Sequence, residues 1–245
     1  MSGETGYKIK EDGGGAFAKY RKYYYGDQSL GRLILSELLS FLIGSMPGAA
    51  GLFLRMKLYP RLFGSCGRKV VFGRNLTLRH AHKIFLGDQV VIDDNVVLDA
   101  KGESNQGIRI GDGVYIGRNS IVYCKGGDLE LGKRVNISSN CQIFSSNQLR
   151  IGDGTMIGAY SYLLSGGEYD RHSGVPYADQ SGMETQGPLQ IGANCWLGAR
   201  VTVLDAASVG DHCVLAAGAV VTQSFPDHSL LGGVPARLLE SREEG

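Results

Sequence analysis

The chain has 245 residues, a formal net charge of +1 and 37 glycines, about 15% of the total against a usual value of roughly 7%. Its five cysteines (Cys66, Cys124, Cys141, Cys195, Cys213) form no CxxC pair and no metal-ligand spacing, so they read as small core residues kept reduced in a cytoplasmic compartment, with no metal expected. The charge is unevenly shared: residues 1–69 hold 11 Lys/Arg and 5 Asp/Glu, residues 70–245 hold 14 and 19, and nucleic acid is a poor partner for the acidic body.

In chain order, residues 1–28 read as a polar, flexible N-terminus, and Met1–Gly15 lacks the pattern of a secretory signal. Residues 29–67 form an amphipathic helical segment. Between Arg32 and Arg55 lie 22 residues with one charge, Glu37, a length that could cross a bilayer. Pro47 with Gly44, Gly48 and Gly51 interrupts this run, which predicts two short helices at about 29–45 and 48–59. Ser36, Glu37 and Ser40 give the first a narrow polar stripe, and basic residues on both sides balance, so no orientation follows. Two readings fit: a cap on the end of a repeat domain or a contact with a neighbouring subunit, or a hairpin at a membrane surface with its basic flanks on anionic lipid.

From residue 68 to 225 a different rule takes over. An aliphatic residue recurs every sixth position: Leu86, Ile92, Leu98; Ile110, Ile116, Val122; Leu131, Ile137, Ile143; Ile151, Ile157, Leu163; Ile191, Leu197, Val203; Val209, Leu215, Val221. Nine of these eighteen are followed by Gly, which relieves crowding and permits backbone angles that a side chain disfavours. Four residues after thirteen of these aliphatic positions stands a small or slim residue, such as Val90, Ser120, Cys141, Thr155 or Ala219. A period of six is neither the 3.6 of a helix nor a strand's alternation. It suits short strands and tight turns wound three to a coil, with both sites pointing inward. Phe72, Leu78 and Ile84 give a weaker leading coil, making about seven.

The spacing also locates an interruption. Leu163 and Ile191 are 28 residues apart, so a loop at 164–190 bulges from the wall, and long irregular loops on regular scaffolds usually carry function. Residues 226–245 read as a C-terminal tail.

The repeat resembles that of the hexapeptide-repeat acyltransferases, and the resemblance covers about residues 68–240. It implies a mainly β fold, a left-handed parallel β-helix of about seven coils. It also implies a homotrimer that moves an acetyl group from acetyl-CoA to a hydroxyl of a sugar or glycoconjugate, with sites in the clefts between subunits. Such proteins carry a catalytic His in a loop at this place, commonly as Gly-Gly-x-His. Here the run is Gly166-Gly167-Glu168-Tyr169, so Tyr169 takes that slot and His172 follows three residues later. Chemically, an imidazole is suited to take the proton from an attacking hydroxyl and pass it to a departing thiolate. His172 is the expected base, with Tyr169 and Asp170 as helpers, Asp170 orienting the imidazole.

Asn140-Cys141 resembles the family's Asn-Cys motif, which places Asn140 in the acceptor site; an Asn at such a turn also simply tolerates positive φ. Trp196, the only Trp, follows the insertion as in the cofactor cleft of the family. Ala217, Gly218 and Thr222, with Arg237 on a phosphate, match the stretches that line coenzyme A, although Gln223 stands where the family often has Lys. The basic head suggests an acceptor of surface-polysaccharide biosynthesis at the inner face of the cell membrane. The rival reading is a noncatalytic β-helix scaffold or assembly module that has lost its base.

Overall fold

The computed structural model describes residues 15–26, 28–167, 169–180 and 184–241. Three helices, α1 (Ala16–Tyr25), α2 (Leu30–Ile43) and α3 (Gly48–Leu58), precede a solenoid of short strands. The strands sort into three walls of seven, nine and seven members, parallel apart from one terminal pair, and consecutive strands fall on different walls except for that pair. This is a parallel β-helix of about seven coils with a triangular section.

The hexad accounts for the packing. On wall 1, Leu86, Ile110, Leu131, Ile151, Ile191 and Val209 pair rung by rung. Wall 2 stacks Phe72, Ile92, Ile116, Ile137, Ile157, Leu197 and Leu215. Wall 3 stacks Leu78, Leu98, Val122, Ile143, Leu163, Val203 and Val221. All eighteen aliphatic positions are buried, as are Val90, Ser120, Cys141, Thr155, Ala219 and the other small sites. Polar members of the small set spend their hydroxyls on the corners: Thr155 donates to Gly192 O at 2.7 Å and Ser120 to Ser138 O at 2.9 Å. Burial pushes the thiol of Cys66 up to about 11 and that of Cys195 to about 12, and raises Cys124 and Cys141 as well, so these are poor nucleophiles.

Two further slots emerge. The third residue after the aliphatic position adopts left-handed backbone at Gln89, Asn95, Asn119, Arg134, Asn140, Tyr160, Asn194, Arg200, Ala206 and His212. The second is often Asp, whose carboxylate closes a corner by accepting a backbone N–H of the coil beneath: Asp88 from Arg68, Asp112 from Asp88, Asp153 from Lys133, Asp211 from Ala193. The glycines at the first slot do not adopt positive φ. They are there for space alone: a Cβ on Gly111 would stand 2.8 Å from the carbonyl carbon of Gly132, and one on Gly152 2.5 Å from Ala193 N.

Both ends differ from the sequence expectation. Within the N-terminus read as flexible, residues 16–25 form α1; residues 1–14 and 27 lie outside the described residues. Helix α1 is tied down by His80 N–H donating to Tyr24 O at 3.0 Å and by the Arg79 guanidinium over the rings of Tyr23 and Tyr24. Its tyrosines are the anchor. At the other end, the tail continues the solenoid: Ser229–Gly232 adds a parallel strand to wall 2 and Arg237–Ser241 folds back antiparallel on it. Helices α2 and α3 lie close to their predicted bounds. Leu39, Ile43, Tyr59, Leu62 and Phe63 join the solenoid core and close its N-terminal end.

Candidate functional site

The insertion leaves wall 3 after the strand Tyr162–Ser165 and rejoins wall 1 at Leu189. Gly166 and Gly167 turn the chain outward at φ of 88° and 87°, where a Cβ on Gly166 would overlap the Ser146 hydroxyl. Both stems of the loop end on one carboxylate. Asp205 accepts from Gly166 N–H at 2.5 Å through Oδ1 and from Gln186 N–H at 2.5 Å through Oδ2, with the Thr185 hydroxyl 3.2 Å from Oδ1. Asp205 is buried and sits in the same hexad slot as the corner-closing aspartates. That slot was the available signal for it, since Asp recurs there through the repeat, and the sequence reading passed it over.

Between the stems, Gln180 organises the described part of the loop. Its Oε1 accepts from Asp170 N–H at 2.8 Å, and its Nε2 donates to Asp170 O at 2.9 Å and Val175 O at 2.8 Å. His172 stands exposed on this framework. Asp170 does not orient the imidazole as expected: its Oδ1 accepts the backbone N–H of His172 at 2.7 Å, fixing the turn rather than the ring. Tyr169 packs edge-on against Tyr177 with centroids 5.8 Å apart. Glu168 and residues 181–183 lie outside the described residues.

Asn140 lies elsewhere, at the corner between walls 2 and 3. Its φ is 59° and its Oδ1 accepts from Asn119 Nδ2 at 3.3 Å, the last step of a ladder in which Asn75 donates to Asn95 and Asn95 to Asn119. The turn role of this residue is therefore in place. The same corner continues through Tyr160 and Arg200 to Gly218, each N–H bonded to the coil beneath. Trp196 projects from wall 2 one rung before this end of the edge, 61% exposed, with exposed Met156 as its register partner. Ala217 and Gly218 are exposed at the corner, and a Cβ on Gly218 would meet open space. The turn after Gly232 lies beside them, since Val220 N–H donates to Gly233 O at 3.0 Å, and Arg237 pairs with Gly232. Trp196, Ala217, Gly218 and Arg237 are thus brought to one edge. Thr222 is not: it follows wall 3, on the edge from which the insertion emerges.

The four remaining histidines are not gathered. His80 is buried with Nδ1 3.7 Å from Asp99, while His212 and His228 stack with centroids 5.0 Å apart at another corner. Among the described residues no three His, Cys, Asp or Glu side chains converge on a metal position.

The hexad, its three walls and its corner slots define a parallel β-helix built on a six-residue repeat. The family model described as the hexapeptide repeat of succinyl-transferase matches residues 188–223. The chain is 29% identical over 166 residues to a "probable acetyltransferase" of Mycobacterium tuberculosis, covering 68% of this chain and 54% of that one. It is 26% identical over 119 residues to the galactoside O-acetyltransferase of Escherichia coli, covering 49% and 57%. The chain spans about half the length of these curated relatives. Among solved structures, the N-acyltransferase AntD of Bacillus cereus, in complex with dTDP and coenzyme A, superimposes with a TM-score of 0.52 at 19% identity over 76% of this chain and 88% of that one, a likeness of fold.

Proposed function

We propose that the chain is an acyltransferase that moves an acetyl group from acetyl-CoA to a hydroxyl of a sugar or glycoconjugate, working as a homotrimer. The observation that carries this reading is the clamped His172 loop, a long irregular excursion from a regular wall, on a chain whose relatives include named acetyltransferases. The loop root and the Trp196 edge border opposite sides of wall 3, about 13 Å apart at ordinary strand rise. A groove between two chains joins one copy's loop to the other copy's edge.

In that groove His172 takes the proton of the acceptor hydroxyl as its oxygen bonds to the acetyl carbon. It then returns the proton to the sulfur as the carbon–sulfur bond breaks. Asn140 orients the acceptor, and backbone N–H groups of the wall stabilise the developing oxyanion. The donor fits the edge on chemical grounds: Trp196 gives an aromatic platform, Ala217 and Gly218 leave room for a thin pantetheine arm, and exposed Arg237 suits a phosphate. Thr222 enters only as a contact on the neighbouring edge. The acceptor is an intermediate of surface-polysaccharide biosynthesis, met on the cytoplasmic face of the cell membrane, in keeping with the basic N-terminal head.

Coenzyme A titration followed by calorimetry and by fluorescence tests the donor site, because Trp196 is the only Trp and reports locally. Binding with a change in Trp emission is expected, and Trp196→Ala weakens it about 3- to 10-fold, the worth of one aromatic contact. No heat and no emission change on adding coenzyme A would favour the scaffold reading instead.

A further inference from the structure

Helix α2 is apolar on two sides. Leu33, Leu39 and Ile43 are buried toward the protein, yet Ile34, Leu38, Phe41 and Leu42 are exposed, Phe41 at 83%. The turn to α3 adds Met46 and α3 adds Phe53 at 59%. A terminal cap on a repeat fold needs an apolar inner face and a polar outer one. This outer face is apolar, so capping leaves it unexplained.

The face is also held rigidly. Buried Arg55 donates from Nε to Phe72 O at 3.0 Å and from Nη1 to Ile43 O at 3.0 Å and Met46 O at 2.8 Å, and Asn75 N–H donates to Gly44 O at 2.9 Å. One guanidinium therefore fixes the end of α2 and the turn beyond it to the first coil.

The charges around the face have one sign. Glu37 is the only acidic residue between Asp27 and Asp88, and it is spent on α1, accepting from the hydroxyls of Tyr20 and Tyr25. Exposed Arg32, Lys57 and Arg61 rim the hairpin, with Lys57 Nζ 5.8 Å from the centre of the Phe53 ring. No helix of the described residues is long and apolar enough to cross a membrane. A second copy of the chain would bring the same cations against each other.

We propose that this face of the α2–α3 hairpin docks on an anionic lipid bilayer, the helices lying in the interface plane, Phe41 and Phe53 entering the acyl boundary, and Arg32, Lys57 and Arg61 meeting headgroup phosphates. The proposal rests on the cytoplasmic-face reading above only for the choice of leaflet and needs no acetyl transfer.

Flotation of the full chain with phosphatidylcholine vesicles, with and without phosphatidylglycerol, tests it. The chain is expected to float with the anionic vesicles and to be released by high salt. Phe41→Ser combined with Phe53→Ser weakens flotation by about tenfold or more, since two anchors leave the interface. Both side chains are exposed, so the thermal transition and the coenzyme A affinity stay unchanged. Arg32→Gln with Lys57→Gln and Arg61→Gln removes the preference for phosphatidylglycerol. Wild type that stays at the bottom of the gradient, or a double serine variant that floats as wild type does, overturns the proposal. So does a double variant that loses an oligomer while floating unchanged, which assigns the face to a second copy. Coenzyme A binding is read separately, so donor binding and lipid docking fail independently.

Discussion

Replacing His172 with Ala is expected to lower kcat for acetyl transfer by about 10²- to 10⁴-fold, the usual worth of a positioned general base. The Michaelis constant for the donor should change little, because the proposed donor site lies on another edge and, among the described residues, the hydrogen bond His172 makes is from its backbone N–H to Asp170. Tyr169→Phe supplies the contrast. Tyr169 occupies the slot in which related sequences place the base, but its ring is packed on Tyr177, so removing the hydroxyl should cost far less than removing the imidazole. Steady-state kinetics with acetyl-CoA and a sugar acceptor, reading released thiol, separates the two. If the Ala variant turns over like wild type, the loop histidine is not the base.

Asp205→Ala should act at a distance on the same step. It leaves the N–H groups of Gly166 and Gln186 without their carboxylate, at a cost of about 1.5–3 kcal/mol for each hydrogen bond to a charged group. The loss falls on the loop stems and not on the stacked core, where Val203 and Ala207 on either side remain fully buried. Limited proteolysis is therefore expected to cut within 166–188 at a rate raised about tenfold or more, while the main thermal transition shifts by only a few degrees. Acetyl transfer falls with loop order. Asp205→Asn, which keeps one acceptor oxygen, should recover part of both. Unchanged proteolysis in the Ala variant would show that the carboxylate does not hold the loop.

The repeat was legible because its rule is a packing rule. An inward site every sixth residue has no freedom to be polar or large, so eighteen aliphatic positions and their slim companions appear directly in the letters and are all buried. The insertion was legible for the same reason, as the place where the count breaks. What escaped were relations made by closure of the coil. Asp205 meets Gly166 across 39 residues of chain, and nothing local marks it except its slot. Asp170 stands beside His172 in sequence, yet the loop path spends its carboxylate on a backbone N–H. Thr222 and Ala217 are five residues apart and lie on different edges, because one wall intervenes. The glycines after the aliphatic positions were right in kind and half right in reason, since steric room and not left-handed backbone demands them. Helix α1 was missed because its buttress, Arg79 against Tyr23 and Tyr24, joins segments more than 50 residues apart.

If one site takes its base from one chain and its donor edge from another, mixed assemblies reveal it directly. His172→Ala removes the base; Gly218→Tyr fills the donor corner with a residue type that the same slot already holds at Tyr160. Each variant alone is expected to be inactive. When the two are unfolded, mixed in equal amounts and refolded together, about one groove in four combines an intact loop with an intact edge, so roughly a quarter of wild-type activity should return. No activity above that of the separate variants would place base and donor edge within a single chain and contradict the account.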